Sequence, residues 1–110
     1  MTTEEDVSLL FEHYFTEIME TRKCGQREYA KTGNAFANFE TLAKDLGMSQ
    51  EKVLWVYAMK HRDGIASYLN GHTSQREDVR GRIKDLVVYL FLLWAMIDEK
   101  DTLEIPSGNL

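Results

Sequence analysis

The sequence predicts an all-α protein, a four-helix bundle-like domain with a central apolar C-terminal helix, and three observations lead there. The stretch from Leu86 to Ile97, LVVYLFLLWAMI, runs twelve residues without a charge, so the remaining chain has to cover it. Apolar residues recur at spacings of three and four in the first, third and last of four stretches, the period of a helix face. Gly25, Gly47 and the Asn70-Gly71 pair stand between those stretches as stop and turn signals. With 110 residues there is room for one core, so residues 1–100 read as a single helical domain and residues 101–110 as a loosely ordered tail.

The first helix is expected from Glu4 to Lys23. Thr3 followed by Asp6 resembles a capping box, and Glu4, Glu5 and Asp6 suit the positive end of a helix dipole. Val7, Leu10, Phe11, Tyr14 and Ile18 form its apolar face, Arg22 and Lys23 sit where cations favour a C-terminus, and Gly25 is expected to end it. The segment CGQREYAKTGNAFANFE reads as a loop pinned by Tyr29, Phe36 and Phe39, and loops on a rigid scaffold are where binding groups are often placed.

A short helix over 37–46 should close at Gly47, with Ser49 as N-cap of the next. The third helix, about 50–69, directs Leu54, Ala58, Ile65, Tyr68 and Leu69 to the core. Gly64 lies inside it at a cost of roughly 1 kcal/mol against alanine, which points to a close approach there or to a tolerated accident. The fourth helix is expected over about 75–100, with Val79, Ile83, Leu86, Leu90, Leu93 and Ile97 as its core stripe. Its second half is apolar on every side. Three other helices cannot easily surround it in a chain this short, so a second copy is expected to cover the remaining face, a homo-oligomer; a monomer with an unusually apolar helix is the alternative.

Composition narrows the partners. A formal charge of −5 argues against a surface built to neutralise nucleic-acid phosphates. The single cysteine, Cys24, excludes an internal disulfide framework and fits a reducing compartment, and the start MTTEEDVSLL has neither the basic nor the apolar part of a signal peptide. A cytoplasmic protein is expected. The twelve-residue apolar run is too short for a bilayer, which needs about 17 to 25 residues, so no membrane contact is expected.

Candidate chemistry gathers on the last two helices. Asp78, Arg82, Asp85 and Tyr89 recur at i, i+4, i+7 and i+11, one stripe beside the apolar face. Asp85 opens the apolar run and should enter the core with it, where a carboxylate must be paired, hydrogen-bonded, metal-bound or protonated. Pairing with Arg82 or a cation of the third helix is one explanation; Mg²⁺ or a nucleotide is the other, since hard cations take oxygen ligands and bridge to phosphates. Lys60, His61 and Asp63 form a second group, with His61 on the inward line as a satisfied core histidine or a ligand, and Lys60 as an exposed lysine or a point charge for a phosphate. Glu17 and Glu20 are a solvated face or a metal pair, and His13 with Glu17 is an ordinary i, i+4 helix pair. HExxH, paired CxxC, P-loop and GxSxG patterns do not occur.

The segment from Gly25 to Ile97 resembles a group of small phage-encoded helical proteins through Gly25 with Tyr29, Ala37-Asn38-Phe39, Lys60-His61, Gly81-Arg82-Ile83, Asp85, Tyr89-Leu90 and Leu92-Leu93. That group is similar to the all-α MazG-like nucleotide pyrophosphohydrolases, and the resemblance implies helix-borne carboxylates that hold Mg²⁺ and cleave nucleoside triphosphates. Two positions depart from the pattern: Arg80 stands where it has Glu, and Val88 where it has Asn. The expected function is therefore that of a phage-type protein binding a nucleotide or nucleotide-derived signal, sequestering a host defence signal or retaining weak Mg²⁺-dependent hydrolysis. Tyr29, Lys31, Asn38, Lys60, His61, Arg82 and Asp85 are the expected ligand contacts, with Asp85 and Asp78 for a metal. The alternative is a non-enzymatic protein that binds and inhibits a host protein through its helical surface.

Overall fold

A computed structural model describes residues 2–29, 36–74 and 76–102, with side chains at 2–23, 36–74 and 76–101. The described residues are all-helical: α1 (Glu4–Tyr29), α2 (Ala37–Leu46), α3 (Gln50–Leu69) and α4 (Val79–Thr102). They divide into two compact units, Met1–Ala35 and Phe36–Leu110. None of the helices is long and apolar enough to cross a membrane.

The first unit is α1. Its start is the expected reciprocal cap: Asp6 N–H donates to Thr3 Oγ1 and Thr3 N–H to Asp6 Oδ2, both at 3.1 Å. The helix does not stop at Gly25 but continues to Tyr29, so the loop begins later than the glycine signals. A glycine inside a helix costs only about 1 kcal/mol, and Gln26, Arg27 and Glu28 after it are good helix formers. Gly25 lacked the turn chemistry needed to end it.

The second unit is built on α3, against which both α2 and α4 pack. Gly47 closes α2 in the left-handed region at φ 65°, and Lys52 N–H donates to Ser49 Oγ at 3.2 Å to open α3. Gly71, at φ 98°, makes the turn after α3 that the Asn-Gly pair announces. Phe36 and Phe39 anchor α2 in a core with Val53, Leu54 and Met96, and Leu42, Ala43, Met48, Tyr89, Leu92, Leu93 and Ala95 pack around it.

The α4 face differs from the expected stripe. Ile83, Leu90 and Ile97 are each more than two-fifths exposed, while Met96 is fully buried beside Leu92 and Leu93. Because the second half of α4 is apolar all round, periodicity could not choose its inward side. The choice falls on the line Arg82, Asp85, Tyr89, Leu92, Met96, which α3 covers. On α3, Leu54 and Ala58 point inward as expected, but Leu69, at the end of the helix, is 75% exposed. The N-terminus of α4 also moves, from Gln75 to Val79, because Asp78 caps it: Arg80 N–H donates to Asp78 Oδ1 at 2.8 Å, and Gly81 and Arg82 N–H donate to Asp78 O.

Candidate functional site

Antiparallel packing of α3 on α4 brings three pairs of positions face to face: Tyr57 with Tyr89, His61 with Asp85, and Gly64 with Arg82. Each pair lies about one helical turn from the next, so the row extends roughly 10 Å along the two helices.

The first level is aromatic. The Tyr57 and Tyr89 rings stack at 6.5 Å and 15°, the Phe39 ring of α2 meets both edge-on, and His61 also stacks on Tyr89, at 5.6 Å and 29°. Tyr57 keeps 43% of its surface exposed, so this row ends at the protein surface. At the second level His61 is buried, its Nδ1 has no hydrogen-bond partner among the described residues, and its Nε2 stands 3.9 Å from Asp85 Oδ2. That distance is too long for a hydrogen bond but well within electrostatic reach. Asp85 does not enter the core as expected: its side chain is 42% exposed, and the side chain facing it from α3 is the His61 imidazole. The carboxylate lies on the seam between the helices, where water still reaches one side.

At the third level Arg82 lies flat over Gly64. Its side chain is nearly buried, its Nη1 is 4.0 Å from Glu77 Oε2, and its Nε is buried without a hydrogen-bond partner among the described residues. A buried unpaired guanidinium N–H is costly, on the order of 1–3 kcal/mol, and an oxyanion would satisfy it once the side chain lifts off Gly64. The close approach anticipated at Gly64 is thus the Arg82 side chain: a Cβ there would stand 2.6 Å from the guanidinium carbon. Gly64→Ala should therefore displace Arg82 while changing stability little, by about 1 kcal/mol or less, because alanine is the better helix former. Thermal unfolding and the Arg82 Nε NMR signal check this; an unmoved signal contradicts it.

The other expected residues fall outside this row. Lys60 is exposed on the neighbouring side of α3, and Asn38 is exposed one residue before Phe39. The Tyr29 side chain and Lys31 lie outside the described residues. Asp78 stands two turns from Asp85, exposed, with its carboxylate engaged by Arg80. The Arg80 backbone N–H holds this carboxyl below its ordinary value of 3.8, and the Arg80 guanidinium and Lys84 act in the same direction. A depressed folded-state value means that the cap is fully effective above pH 3.8 and is lost as the pH falls below it. The Arg80 amide should accordingly titrate with a midpoint under 3.8, and the transition should vanish in Asp78→Ala; a midpoint at or above 3.8 contradicts it.

On α1, His13 Nε2 lies 3.2 Å from Glu17 Oε1, and Lys23 Nζ 3.9 Å from Glu20 Oε1, ordinary exposed helix pairs. No group of three or more His, Cys, Asp or Glu side chains that could hold a metal occurs among the described residues. The residues beside Asp85 are His61 and Arg82. A separate recess of about 420 Å³ lies at the opposite end of α3 and α4, lined by Gln50, Glu51, Met96, Glu99 and Lys100.

Tyr57 is the member that sequence reasoning missed. Its signal was its place one turn before His61, on a line that reads aromatic then imidazole. No family model, no curated protein and no solved structure matches the chain.

Proposed function

We propose that this chain is a nucleotide-binding protein that acts by holding its ligand rather than by transforming it. The supporting observation is the sequence of levels along the α3 and α4 seam: an aromatic stack in which Tyr57 is exposed and Tyr89 half-buried, a carboxylate at Asp85, and a guanidinium at Arg82 whose Nε has no hydrogen-bond partner among the described residues. A base stacks on aromatic rings, a ribose hydroxyl donates to a carboxylate, and a phosphate takes a guanidinium. The roughly 10 Å from the first level to the third suits a nucleotide laid along the seam. Lys60 adds positive charge on the same helix. With one carboxylate and two cationic or imidazole neighbours, the seam lacks the acidic cluster that Mg²⁺-dependent pyrophosphate cleavage needs, so the reading is retention without turnover. In a phage setting such a protein, working in the host cytoplasm as a homo-oligomer, would sequester a nucleotide-derived defence signal.

The test is thermal unfolding against nucleoside mono- and triphosphates and cyclic oligonucleotides, with and without Mg²⁺. A ligand at 100 times its dissociation constant should add about 2.7 kcal/mol, and the shift should not need Mg²⁺. No shift with any member of the panel contradicts the reading.

A second reading, capture of a host protein, is favoured by the exposed Leu90, Phe91, Trp94 and Ile97 on α4. It predicts no nucleotide response and loss of host-protein capture in Trp94→Glu.

A further inference from the structure

Helix α1 carries Leu9, Leu10, Phe11, Tyr14, Phe15 and Met19 as exposed large apolar side chains. Its 26 residues make a rod about 39 Å long, and the apolar stripe from Val7 to Ile18, roughly 17 Å of it, calls for a partner. At 100° per residue, Val7, Leu10, Phe11, Tyr14 and Ile18 fall within about 100° of one another. Val7 with Ile18, and Phe11 with Tyr14, are each centred between residues 12 and 13. The stripe is therefore nearly symmetric about its own midpoint.

Charge follows the same symmetry. Glu4 and Arg22 are 18 residues apart (22 − 4), which is five full turns, so they share one flank of the stripe with their centre at residue 13. The first turn is acidic through Glu4, Glu5 and Asp6, while Arg22 and Lys23 lie 18 residues further on from Glu4 and Glu5. Turning a second copy end over end about that midpoint lays apolar stripe on apolar stripe and sets Glu4 beside the other copy's Arg22, twice over. A parallel pairing would set like charges together.

We propose that α1 is a self-association surface whose occupant is the α1 of a second copy, antiparallel, centred between Phe11 and Tyr14. This names the surface of the homo-oligomer in the reading above. It stands without any nucleotide, so it can fail while nucleotide binding holds, and the reverse.

The test is sedimentation of the full chain without nucleotide, over a concentration series. The wild type should form a dimer, and Phe11→Glu should be monomeric with its helix content retained by circular dichroism. Glu4→Arg and Arg22→Glu should each weaken the dimer roughly tenfold, because each puts two like-charge pairs across the interface. The double variant should return to near wild-type affinity. Glu4→Arg also opposes the helix dipole in the first turn, and the double variant keeps that change, so recovery in the double variant reports the pairing and not the helix. A wild type that is monomeric at every concentration, a dimer indifferent to Phe11→Glu, or single charge reversals whose defects simply add in the double variant would each overturn the proposal.

Discussion

Leu54→Ala lowers the stability of the α2–α4 unit by about 2–5 kcal/mol, the largest effect expected of any single truncation in it. Leu54 is fully buried at the junction where Phe36, Phe39 and Met96 close the core, and removing its branch leaves a cavity that three helices cannot collapse around. For a unit of this size the melting midpoint should fall by at least about 8 °C. Leu69→Ala removes the same atoms from a side chain that is 75% exposed, so it should stay within about 0.5 kcal/mol of the wild type. Equal losses at the two positions would mean that the inward face of α3 is assigned wrongly.

Tyr57→Ala and Arg82→Ala have the largest expected effect on ligand. Stacking of one base on an aromatic ring is worth about 1–3 kcal/mol, and a charge-assisted hydrogen bond about 1.5–3 kcal/mol, so each change should weaken nucleotide binding by roughly one to two orders of magnitude. Tyr57 is partly exposed, and its loss should leave the fold intact. Arg82→Ala additionally removes a buried unpaired N–H, so the free protein should not be destabilised in proportion to the binding lost. Calorimetric titration beside thermal unfolding separates the two quantities. Affinity unchanged in both variants would remove the seam from consideration.

Helix positions were legible wherever a side chain carried its own stop or start chemistry. Thr3 and Asp6, Ser49, Gly47 and Asn70-Gly71 all do, and the bounds of α2 and α3 follow. The end of α1 was not legible, because Gly25 within good helix formers is a weak stop. The inward face of α4 was not legible either. An apolar run without a polar side gives no phase, and the contacts of α3 and α2 made the choice. Of the candidate site, the pattern Asp78, Arg82, Asp85, Tyr89 correctly put three of its members on one line. What it missed is that the side chain opposite Asp85 on α3 is His61, and that Asp78 belongs to the helix cap. Gly64 was visible as an oddity, but only the packed helices show that Arg82 fills its space.

The most direct test of the seam is an NMR titration of the ¹⁵N-labelled protein with the nucleotide that gives the largest thermal shift, or with ATP and a cyclic dinucleotide if several do. The account predicts amide and side-chain perturbations centred on Phe39, Tyr57, His61, Gly64, Arg82, Asp85 and Tyr89, with the Arg82 Nε signal moving most as it gains a partner. Perturbations confined to the recess at Gln50 and Glu99, to the exposed side of α4 at Leu90 and Trp94, or absent at saturating nucleotide would contradict it.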